Sequence, residues 1–119
     1  MCGQASQVTA LAVQHARQGP LARKQQQGFE FPARTITDPA AARSVAEAVC
    51  GLPPMTSRAV VCPADTFATY VLVFSVGGKK LAPVSADPAG CQEMRGAGQV
   101  RTAARSPGFW GTLRKAEAQ

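Results

Sequence analysis

A strand, two glycines and a returning strand, set between two cysteines, constrain this chain most: residues 62–91 read CPADTFATYVLVFSVGGKKLAPVSADPAGC. Tyr70, Leu72, Phe74 and Val76 fall on one face of the first arm, Thr69, Val71, Val73 and Ser75 on the other. That period of two in β-branched and aromatic residues predicts a strand. Gly77-Gly78 follows at once and suits a two-residue turn with positive φ at both central positions. The return, Lys79 to Ala86, contains Pro83, which has no N–H to give to a ladder. It is therefore expected at a sheet edge guarded by Lys79 and Lys80, or with a bulge. A reversal at the glycines brings Cys62 and Cys91 nearly opposite, within the roughly 7 Å between Cα atoms that a disulfide tolerates. A Cys62–Cys91 bond is expected, with two buried thiols as the alternative.

The remaining elements follow from local patterns. Gln7 to Gln14 predicts a first strand with Leu11 and Val13 as its larger apolar residues, after a flexible N-terminus over residues 1–6. Residues 17–28, polar with a Gly-Pro break, read as a mobile loop and the preferred site of a proteolytic nick. Phe29 to Ile36 alternates, with Phe29 and Phe31 inward, and Pro32 marks an edge or a bulge. Asp38 is an N-cap and Pro39 a first helical residue, and Ala42, Val45, Ala46 and Val49 recur at helical spacing. Gly51 and Pro53-Pro54 end that helix, leaving Cys50 at its last turn, free or in a second bond. Gln92 to Arg95 predicts a short strand. Ser106-Pro107 opens a final helix in which Phe109 and Leu113 share the inward face and Trp110 is expected in the core.

A chain of 119 residues is expected to form one domain, residues 1–119. The pattern predicts an α+β fold: an antiparallel sheet of about four to five strands, one helix packed on a face, a C-terminal helix and a disulfide staple. No apolar run approaches the roughly 20 residues of a membrane span. Four cysteines in so small a chain point to an oxidising, extracytoplasmic compartment. Cys2-Gly3 has the look of a mature bacterial lipoprotein, which makes Cys2 a candidate lipid anchor, and an ordinary N-terminus is the other reading.

Residues able to do chemistry do not assemble in the sequence. His15 is the single histidine, with no Cys or His at zinc-site spacing, and the nucleophile-elbow, phosphate-loop and H-E-x-x-H patterns are missing. No metal, cofactor or catalytic residue is assigned, and the chain is read as a non-enzyme. Asp65 is read as a turn residue rather than as an acid or base. The formal net charge is +6, and Arg95, Arg101 and Arg105 are the candidate binding residues of a basic C-terminal region. With no aromatic interleaving and no nucleic-acid motif, their expected partner is a protein or an anionic envelope component, not nucleic acid.

Two resemblances sharpen these expectations. The runs AAARSVAEAVCGLPPM, VCPAD, GC and VRTAARSPGFW closely resemble small secreted proteins and lipoproteins of Streptomyces and related actinobacteria, from about Phe29 to the C-terminal helix. That resemblance implies the paired cysteines at Cys62 and Cys91, Cys50 as the variable one, and a place outside the cell or lipid-anchored on the outer face of its membrane. Thr66-Phe67 stands where that group often has Phe-Gly. A more distant similarity is to the Streptomyces subtilisin inhibitors, carried by Cys62-Pro63, Gly78-Lys79 and Cys91-Gln92-Glu93-Met94. It implies an alternative in which Pro63, Ala64 and Asp65 face a serine protease from a disulfide-stiffened loop.

Overall fold

A computed structural model of the chain describes residues 1–17, 34–55, 68–88, 92–104, 106 and 108–118. The fold is α+β. A 3-10 segment, Cys2–Gln7, leads into β1 (Ala10–Arg17), β2 (Arg34–Ile36) and helix α1 (Pro39–Cys50). Then come β3 (Ala68–Val76), β4 (Lys79–Lys80), β5 (Val84–Ala86), β6 (Glu93–Arg95), β7 (Arg101–Thr102) and helix α2 (Gly108–Glu117). The strands form one antiparallel sheet in the order β2-β1-β3-β5-β6-β7, with β4 beside β3.

The strand count among the described residues is seven, above the expected four to five. Short end strands and a broken return arm supply the difference. Gly77 and Gly78 have φ of 57° and 87°, and Val76 faces Lys79 across them, so the two-residue turn is as the glycines require. Ser75 then faces Lys80 while Leu72 faces Val84. Val73 and Phe74 therefore oppose the longer stretch Leu81, Ala82 and Pro83, which is a bulge. Pro83 sits where no ladder N–H is needed, and pairing resumes at Val84. Because β5 is flanked by β3 and β6, the expectation of an edge position is corrected for that half of the arm, whereas β4, with Lys79 and Lys80, pairs with β3 alone and keeps an open side. The sheet order ends at β2 and β7, and at β7 the Thr102 N–H donates to Pro53 O and Pro54 bridges Arg101.

Alternation decides which face is covered. Leu11, Val13, Ile36, Leu72, Phe74, Val84, Ala86 and Met94 are buried on one face, beneath the α1 stripe Ala42, Val45, Ala46 and Val49 and the α2 residues Phe109, Leu113 and Ala116. The other face keeps Ala12, Val71, Val73 and Ser85 half-buried. Helix α1 starts as its sequence dictates: Asp38 Oδ1 accepts the Ala40 N–H at 3.2 Å, and Pro39 occupies the first turn. Trp110, expected in the core, is half-buried at its margin.

The N-terminus differs from its expectation. Residues 1–6 are not a loose tail: Ala5 and Val8 are buried, and the Arg43 Nε–H of α1 donates to Val8 O at 2.9 Å. β1 accordingly starts later than its apolar run suggested. Cys2 is bonded to Cys50 across 5.6 Å between Cα atoms. Of the two alternatives for Cys50, a free thiol or a second bond, the bond is realised, because the crossover through α1 returns its last turn to the 3-10 segment. The Cys62–Cys91 pairing, the loop over residues 18–28, and Phe29 and Phe31 lie outside the described residues.

Candidate functional site

Of the predicted binding arginines, Arg95 and Arg101 are described, and both have partners within the chain. Arg101 is turned inward: its Nη1 donates to Cys50 O at 3.1 Å and Leu52 O at 3.0 Å, and its Nε to Ala97 O at 3.2 Å. It caps the orphan carbonyls at the C-terminal end of α1, where a cation also meets the negative end of the helix dipole. Arg95 is exposed and pairs with its own neighbour, donating from Nε and Nη2 to Glu93 Oε2. Arg105, Pro63, Ala64 and Asp65 lie outside the described residues. The sulfur of Cys2, the candidate lipid anchor, is held in the disulfide with Cys50. Among the described residues no group of three His, Cys, Asp or Glu side chains could hold a metal.

Instead, the fold assembles a concavity that the residue order did not announce. His15 of β1 stands directly opposite Tyr70 of β3, and their rings meet edge-on with centroids 4.3 Å apart. On the other side Tyr70 faces Ala86. α2 crosses this end of the sheet. Trp110, Leu113, Arg114 and Glu117 recur at helical spacing, so they form one stripe aimed at Tyr70. The Trp110 ring is tilted 54° from Tyr70 at 5.7 Å and 82° from Phe109 at 4.8 Å. Its indole N–H donates to Gln92 Oε1 at 2.7 Å, which fixes the ring plane. Tyr70, Pro88, Trp110, Leu113, Arg114 and Glu117 line a cavity of about 120 Å³.

The charged members are unequal. The Glu117 carboxylate is 19% exposed and stands 3.5 Å from His15 Nε2, while Arg114 is exposed to solvent. Burial, reinforced by the Glu117 carboxylate and partly offset by Arg114, raises the Tyr70 phenol above its ordinary value of about 10. Ionisation is therefore favoured in the unfolded chain. Stability from this group is fully present below the unfolded pKa and lost as pH climbs through the higher folded value. Tyr70 is the single tyrosine. An absorbance titration of phenolate should thus show one transition, at higher pH in the native protein than in urea, moving toward the urea value in Glu117→Gln.

No protein-family model, no curated protein and no solved structure matches the chain. Helical spacing alone would group Trp110, Leu113, Arg114 and Glu117 on one stripe, but their meeting with Tyr70 and His15 depends on the β1–β3 register, which no local pattern encodes.

Proposed function

We propose that this protein is a non-enzymatic binding module of an oxidising, extracytoplasmic compartment, and that it engages its ligand through the concavity between β3 and α2. The observation that carries the reading is the pair of half-buried aromatic rings, Tyr70 and Trp110, walling a small cavity with a charged rim. Large amphipathic rings held in place supply contact area at little entropic cost, as the anchors of binding sites do. The Cys2–Cys50 bond supports the compartment, because disulfides persist where thiols are not kept reduced. No described helix is long and apolar enough to cross a membrane. With the Cys2 sulfur occupied, the released form is favoured over the lipid-anchored one.

The concavity and the arginines can be separated by capture. Immobilised oxidised protein is exposed to the envelope fraction and culture fluid of the producing organism, alongside Trp110→Ala and Arg95→Ala/Arg105→Ala variants of verified melting temperature. Capture lost in Trp110→Ala and kept in the arginine variant is the expected result. Capture lost only in the arginine variant would move the site to the basic region. Turnover of the captured ligand by the purified protein would overturn the non-enzymatic reading.

A further inference from the structure

We infer that the concavity holds an organic cation, an ammonium or methylated ammonium group, seated on the faces of Tyr70 and Trp110 and against the Glu117 carboxylate. The inference rests on the concavity being the binding surface, and adds the chemistry of what enters it. The Tyr70 and Trp110 rings, 5.7 Å apart and tilted by 54°, are not stacked face to face, and both line the cavity. A cation over the face of either ring is attracted by its quadrupole. Pro88 and Leu113 complete the lining with apolar surface, suited to the methyl or methylene groups around an ammonium nitrogen.

Size agrees with charge. About 120 Å³ holds roughly four waters at ~30 Å³ each, enough for a trimethylammonium head or the end of a lysine and too little for a nucleotide. The walls are also set in advance. The Gln92 side chain holds the Trp110 indole, and the His15 ring braces Tyr70. A ligand therefore does not have to order them on entry.

Arg114 is the lining residue that argues for an anion, and the Arg34 guanidinium, which donates to Glu117 O, is a second cation close by. Arg114 stands on the same helix stripe as Glu117, but it is exposed, and its charge acts through screening solvent. Glu117 is four-fifths shielded, so its field reaches the cavity through less water. The two residues then make opposite predictions for the sign of the ligand.

Trp110 is the single tryptophan, so its emission reports the concavity directly. The experiment titrates the oxidised full chain with four probes: choline, a lysine-bearing peptide, sodium acetate, and dimethylbutanol, the neutral isostere of choline. Saturable change with choline or with the peptide is expected, the stronger of the two showing whether a free ammonium or a side chain is the better fit. Glu117→Gln should weaken binding by about tenfold, and Arg114→Ala should strengthen it by about twofold. Equal binding of dimethylbutanol and choline would overturn the cation assignment. Acetate binding that is lost in Arg114→Ala would overturn it too, while leaving the concavity a binding site. If no probe of either sign alters Trp110 in protein with the wild-type melting temperature, the concavity itself is overturned as the ligand surface.

Discussion

Replacing Cys2 and Cys50 together by alanine is expected to lower the melting temperature by roughly 10–20 °C, the shift that about 4 kcal/mol produces in a domain of this size. The bond joins residues separated by 48 positions, and the chain-entropy estimate for a loop of that length is about 4 kcal/mol. It also fixes the 3-10 segment that brings Ala5 and Val8 into the core. Calorimetry of the double variant measures the loss, and peptide mapping without reductant should recover Cys2 joined to Cys50. The double substitution is preferred to reductant because it leaves Cys62 and Cys91 untouched. A melting temperature within about 3 °C of wild type would show that the bond contributes under 1 kcal/mol and constrains little.

Gly96→Ala is expected to cost about 2–4 kcal/mol, a larger effect than its small added volume suggests. Gly96 has φ of 104°, and a Cβ there would lie 2.4 Å from Pro83 O and 3.2 Å from Val84 Cα. Those atoms are backbone of the bulge, held by the β3–β5 ladder, so they cannot swing aside as a flexible side chain would. Gly98 is the internal comparison: its φ is 85°, with nothing within 4 Å of the added carbon. Gly98→Ala should cost only the backbone term, about 1–2 kcal/mol. Urea midpoints of the two variants give the contrast, and equal losses would mean that the approach to Pro83 is not what Gly96 permits.

The parts of this fold legible in the sequence are those whose causes are local. Gly77-Gly78 requires positive φ wherever it sits, and Asp38-Pro39 with its spaced valines forms a capped helix before any tertiary contact exists. Phe109 and Leu113 were placed correctly by period alone. What was misread had long-range causes. Cys50 finds Cys2 because α1 crosses the sheet and ends beside the N-terminus, a meeting that hairpin geometry around Cys62 and Cys91 could not weigh. Arg101 counted as surface charge until the carbonyls of Cys50 and Leu52 converged on it. The concavity was illegible for the same reason, since His15 and Tyr70 are neighbours only through the strand register.

The position of the staple makes the molecule topologically uneven. The Cys2–Cys50 bond closes a covalent ring that carries β1, β2 and α1, while every later element follows it as an arm. The central pairing, β1 with β3, is a seam between ring and arm. One peptide-bond scission inside the ring, residues 18–33 included, yields two pieces that stay attached through sulfur. The same scission in residues 92–118 sheds a fragment held only by packing and the sheet ladder. A clipped protein would therefore run as intact on a non-reducing gel when cut in the ring and as shortened when cut within residues 92–118, so the gel distinguishes the two ends of the fold.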